Sequence, residues 1–356
     1  MYTARFLYPQ SLSTGLLPMT SNFKLVNAHR IGQKPIHWSL HAFCHETGDD
    51  EEFSSLTEEH LKQVYTGVYP TNFPREAIRL KTTPREHFLL SKKFDSDESD
   101  KPKAKRLHFN RKKSATSILH RPTPTHEAIV RATRDNFFPK KVANSFEIDT
   151  NLTFHIGADG GPISQYNPDF AISSDSRPLF LALEVGFGER YDDLLDTAKE
   201  VLLKSLTTKF FVIVKIVEKP LYQSPLKLSD HFSKSRSEIP IPLNLSPENC
   251  HRSDADPEGP LMVNGLRWVG KISAFWEVWS RDALGNPIIH EERVSFYGPD
   301  AQSRTLKLDL TELDENCGEI SIDSSVFAQA VHKSRFQLAV YRCNNFIMSC
   351  QKEKKP

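Results

Sequence analysis

Residues 167–172 read Asn-Pro-Asp-Phe-Ala-Ile, residues 179–187 read Leu-Phe-Leu-Ala-Leu-Glu-Val-Gly-Phe, and residues 210–217 read Phe-Phe-Val-Ile-Val-Lys-Ile-Val. Between the second and third of these, Leu194, Leu195, Ala198, Val201 and Leu202 recur at helical spacing, with Asp192, Asp193, Asp196 and Glu200 on the wetter side. Leu179–Leu183 and Phe210–Val214 are uninterrupted by polar residues, the pattern of interior strands covered on both faces. Strand, helix and strand in that order predict a parallel pair joined by a crossover helix. Asp169 then stands at the head of one strand and Glu184 at the end of the next. Lys199, four residues after Leu195 and three before Leu202, borders the buried stripe of the helix.

Upstream, Thr125 is placed to cap a helix beginning at His126, with Ile129, Val130, Thr133, Phe137 and Phe138 on one side and Glu127 in its first turn. Phe146, Ile148, Leu152, Phe154 and Ile156 alternate with polar residues and predict a strand or hairpin. The turn at 157–162 is rich in glycine, but no Gly-Lys-Ser/Thr follows, which excludes a P-loop. Residues 1–120 are expected to be weakly structured. Within them His41, Cys44 and His45 lack a second cluster at zinc-finger spacing, and 56–64 predicts a short helix. A basic run over 101–113 has three readings: a nuclear-import signal, an arm contacting phosphates, or a solvated linker.

Residues 121–220 are thus expected to form an α/β core with a mixed sheet flanked by helices, followed by a long loop over 221–262. Alternation then returns. Ile272, Ala274, Trp276 and Val278, the run Ile289–Phe296, and Leu306, Leu308 and Leu310 predict a mainly antiparallel β extension over 263–345, packed on the core. Ser324 is placed to cap a short helix reaching Val331, a further element follows around Phe336–Tyr341, and 346–356 is a basic tail. Trp268, Trp276 and Trp279 are stacking surfaces for bases or, as aromatics in strands more often are, core.

Composition narrows the class. A formal net charge of +1 over 356 residues excludes a polycation, so any nucleic-acid affinity must be local. Five scattered cysteines without a CxxC pair suit reduced thiols, and neither a run of eighteen apolar residues nor a signal-peptide core is evident. The expectation is a soluble intracellular protein with no membrane partner, nuclear if the basic run acts as an import signal.

The order of helix with Glu127, hairpin, Pro168-Asp169, Leu183-Glu184-Val185, helix and apolar strand resembles the PD-(D/E)XK core of restriction endonucleases and many repair nucleases. The resemblance spans about residues 125–220 and is nearest to Uma-type endonucleases and uncharacterised fungal proteins. It implies a nuclease acting on DNA, with Asp169, Glu184 and the main-chain carbonyl of Val185 holding Mg²⁺ or Mn²⁺, and with Glu127 holding a water. Hard cations take such oxygen ligands and keep several waters. In that motif a lysine stands two residues after the glutamate, where this chain has Gly186. Two outcomes follow: Lys199 takes the lysine's role from the helix, or the chain is a nuclease-like scaffold that binds without cutting. Without a metal, Glu184 is expected to pair with Lys199 or Arg190, since a carboxylate beside a buried strand needs a partner.

Overall fold

The computed structural model describes residues 53–70, 73, 75–95, 106–110, 112–119, 122–137, 146–150, 152–157, 164–224, 250–251, 256, 258–263 and 266–352. Every described residue belongs to one compact unit, within Phe43–Pro356. His41, Cys44 and His45, and the lysines at 101, 103 and 105, lie outside the described residues.

In the segment expected to be weakly structured, the described residues between Glu58 and Leu119 form helices and strands. Helices α1 (Glu58–Tyr65) and α2 (Pro84–Asp95) accompany an antiparallel sheet of β1 (Ala77–Lys81), β2 (Arg106–Asn110) and β3 (Ala115–Leu119), in the order β1-β3-β2. Its core is small: Val64, Tyr69, Ile78, Leu90, Phe94 and Ile118 converge from four elements and the loop after α1. No single element carries enough of these to show a period, which is why the sequence pattern understates the fold.

The main body is α/β with a mixed sheet. Helix α3 (Pro124–Phe137) starts two residues earlier than expected, its cap being Thr123 rather than Thr125: Pro124 takes the first helical place, and the Thr123 hydroxyl accepts from the His126 N–H at 3.3 Å. Strand β4 (Glu147–Asp149) joins the main sheet, whereas β5 (Phe154–Ile156) pairs separately with β6 (Ser164–Tyr166). Strands β7 (Phe170–Ser174) and β8 (Arg177–Phe187) are antiparallel; β8 runs through α4 (Tyr191–Lys204) into β9 (Phe210–Lys219), which is parallel to it. After β10 (Cys250–His251), β11 (Leu261–Val263) and β12 (Leu266–Val269) make a small sheet of their own within and beyond the predicted loop, β13 (Lys271–Arg281) and β14 (Pro287–Tyr297) return to extend the main one. The six strands lie in the order β14-β13-β9-β8-β7-β4. A ribbon of β15 (Thr305–Asp309) and β16 (Glu319–Asp323) precedes the last helix, α5 (Ser324–Lys352).

Alternation along β8 and β9 builds two cores. Leu181, Leu183, Val185, Val212 and Val214 face α3 and α5, where Ile129, Phe137, Phe327, Val331 and Leu338 meet them. Ala182, Phe211 and Ile213 face α4, against Leu194, Ala198, Val201 and Leu202. Helix α5 corrects the short helix ending at Val331. Its buried stripe continues through Ser334, Arg335 and Arg342, polar residues that break the apolar pattern in sequence yet are each 3% exposed or less. The three tryptophans are likewise core, exposed by 2%, 0% and 7% at Trp268, Trp276 and Trp279. No described helix is long and apolar enough to cross a membrane.

Candidate functional site

Phe170 pairs with Leu183 at the end of the β7–β8 ladder, which sets Asp169 and Glu184, the next residue on each strand, side by side. Asp169 follows Pro168, whose missing N–H ends the regular pairing. The Asp169 Oδ2 takes over as acceptor, receiving the Val185 N–H at 2.8 Å. The same oxygen lies 3.1 Å from Nε2 of His126, in the first turn of α3. Asp169 is 3% and Glu184 1% exposed, so the predicted acidic pair exists and is enclosed. By alternation from Ala182, Glu184 points to the α4 side of the sheet.

Glu127 is not the helical residue that reaches this pair. Its carboxylate is about half exposed and stands 3.8 Å from His126 Nδ1, while His126 itself contacts Asp169. Lys199 also goes elsewhere. Its amine lies 5.2 Å from the centre of the Trp279 ring on β13, two strands across the sheet from Glu184, so the expected ion pair is replaced by an aromatic contact.

The physical reason for Gly186 is packing. A Cβ built there would stand 2.3 Å from Leu194 Cδ1, so α4 occupies the space a side chain at 186 needs. A lysine is nevertheless beside it. Lys215 pairs directly with Gly186 across the parallel ladder, on the same α4 side as Phe211 and Ile213. Its amine donates to the carbonyls of Ile216 at 3.0 Å and Gly186 at 3.5 Å. Burial pushes its pKa down to about 8, against the opposing pull of Glu189. A signal for Lys215 was present: it is the one charge inside an otherwise apolar eight-residue run, on the strand next to that of Glu184. His126 carried no such signal, because a polar residue in a first helical turn is ordinary.

Beyond Lys215, at the carboxyl ends of β8 and β9, lies a cavity of about 440 Å³ walled by Arg75–Arg79, the turn into α4, the end of β9, and Tyr222 and Arg342. Gly188, at φ +96°, makes that turn in a conformation glycine favours. Arg342 is fully enclosed here. It donates to both oxygens of Glu218 at 2.8 Å and to those of Glu76 at 2.8 and 2.7 Å, over the Tyr222 ring at 4.1 Å. Arg79 is paired with Asp193 of α4, and Lys113 lies 3.5 Å from both Asp192 and Asp193. Of the described lysines of the basic run, Lys113 therefore faces the acidic start of α4, whereas Lys112 is largely exposed and reaches Asp196 at 3.7 Å.

The donors suggested for a divalent ion are two carboxylates and a main-chain carbonyl. Among the described residues no group of three or more His, Cys, Asp or Glu side chains converges as a metal site. The implied set includes only two such side chains, and adjacent carboxylates with an oxygen-only donor set suit a hard cation. In that chemical sense the residues fit. No family model, curated protein or solved structure matches this chain.

Proposed function

We propose that this protein is a metal-dependent phosphodiesterase acting on DNA, with a restriction-endonuclease-like core. The observation that carries the reading is the meeting of Asp169 and Glu184 on adjacent strands, with Lys215 set against Gly186 where the motif's lysine is missing. Asp169, Glu184 and the Val185 carbonyl would hold Mg²⁺ or Mn²⁺, which when bound supplies an acidified water and offsets charge developing on a phosphate. His126 fixes the rotamer of Asp169 through Oδ2, and the Val185 N–H holds the same oxygen from the strand. Lys215, in place of Lys199, brings a positive charge to the α4 side of the sheet, where Glu184 also points.

A second reading, a nuclease-like module that binds without cutting, is favoured by the enclosure of both carboxylates, 3% and 1% exposed. Plasmid cleavage in Mg²⁺ separates the two. Cleavage by the wild type, lost in Glu184→Gln and Lys215→Met but kept in Lys199→Met, is the expected result. Equal cleavage by wild type and Glu184→Gln would overturn the catalytic reading, and loss in Lys199→Met alone would restore the helical lysine.

A further inference from the structure

The cavity beside Lys215 has features that the metal proposal does not use. At about 440 Å³ it falls in the size range of small-ligand sites, roughly 300–1,000 Å³. It lies at the carboxyl ends of β8 and β9, the only parallel pair in the main sheet among the described residues, and ligands of α/β sheets collect at such ends.

Its charge is what selects a ligand. Lys215 is 8% exposed, and its amine is held by two main-chain carbonyls, with no carboxylate at ion-pair distance among the described residues. Arg190 lies in the wall and likewise has no ion pair among the described residues. It is also the N-cap of α4, and its side chain has no oxygen to cap with, so the positive end of a fourteen-residue helix, with Asp192 in its first turn, opens on the cavity. The carboxylates of the wall are mostly engaged by other cations: Glu76 and Glu218 by Arg342, and Asp192 by Lys113. With Glu189 counted among the wall's acids, the lining cations Arg75, Arg79, Arg190, Lys215, Lys219 and Arg342 still outnumber the carboxylates of Glu76, Glu189, Asp192 and Glu218.

We propose that this cavity binds a phosphate monoester, with Lys215 on its floor and Arg190 and the first turn of α4 receiving the phosphate. The size fits a mononucleotide-scale ligand. Loss of one charge-assisted contact to a phosphate weakens binding roughly tenfold or more.

Calorimetry in EDTA with thymidine 5′-monophosphate, thymidine and inorganic phosphate as probes tests the proposal. EDTA removes any divalent ion, so failure of the nuclease reading leaves this titration unaffected. Expected are binding of the monophosphate but not of thymidine, and an affinity lowered at least tenfold in both Lys215→Met and Arg190→Ala. Arg190 lies at the surface end of the turn, so its variant tests the site even if the change at Lys215 disturbs packing. Absence of monophosphate binding, equal binding of thymidine, binding of inorganic phosphate alone, or undiminished affinity in both variants would overturn it.

Discussion

Lys215→Met is expected to make the protein more stable, and the gain is expected to depend on pH. Burial lowers the Lys215 pKa from 10.5 to about 8, and at about 1.36 kcal/mol per unit that amounts to about 3 kcal/mol of destabilisation when the lysine is charged. Methionine has nearly the same length and no charge to desolvate. The carbonyls of Gly186 and Ile216 lose a donor, which returns about 1 kcal/mol, so the net gain near pH 7 is about 2 kcal/mol. The sign of the pH effect follows from proton counts. Between the folded pKa of about 8 and the unfolded value of 10.5 the unfolded chain binds more protons, so wild-type stability rises with pH through that window. The variant lacks this rise, and its advantage should be about 2–3 kcal/mol smaller at pH 10 than at pH 7. Urea unfolding of both proteins at the two pH values measures it. A variant less stable than wild type at pH 7, or an advantage independent of pH, would refute the claim that Lys215 is held charged and desolvated against its own stability.

Arg342→Met leaves Glu76 and Glu218 facing one another without their cation and is expected to cost about 3–5 kcal/mol, read as a lower urea midpoint. Gly186→Ala should cost about 1 kcal/mol by thermal unfolding, and the cost should vanish in a Leu194→Ala background, because Leu194 Cδ1 is the atom met. Burial pushes the Asp193 carboxyl up, but Arg79, with Lys113 and Asn110, holds it below its usual value, so the stability it contributes is present at neutral pH and lost as pH falls below about 4. Asp193→Asn should remove that acid dependence and speed tryptic cleavage within 79–113, with cleavage in β13 and β14 unchanged.

The parallel pair and its crossover helix were legible because β8, α4 and β9 each carry a strong, local hydrophobic pattern, and the pairing of Asp169 with Glu184 follows from where those strands end. What was not legible depends on neighbours distant in sequence. Lys199 borders the buried stripe as its spacing indicates, but β13, added to the sheet some seventy residues later, supplies Trp279 and draws its amine away. Lys215 looked like an interruption of an apolar run until the register placed it against Gly186. Helix α5 runs past Val331 because Ser334, Arg335 and Arg342 interrupt its apolar pattern only in sequence; Tyr297, Glu76 and Glu218 make burial of both arginines tenable. The N-terminal sheet was missed for a related reason: it meets α4 through Arg79, Asn110 and Lys113, polar contacts that leave no periodic trace.

The proposed function requires Asp169 and Glu184 to form a divalent-metal site. Titration calorimetry with Mn²⁺ on the wild type, Asp169→Asn and Glu184→Gln tests it without requiring turnover or a substrate. One ion bound per chain by the wild type, with affinity at least tenfold lower in each variant, is the predicted result. No binding by the wild type, or binding unchanged by either substitution, would contradict it.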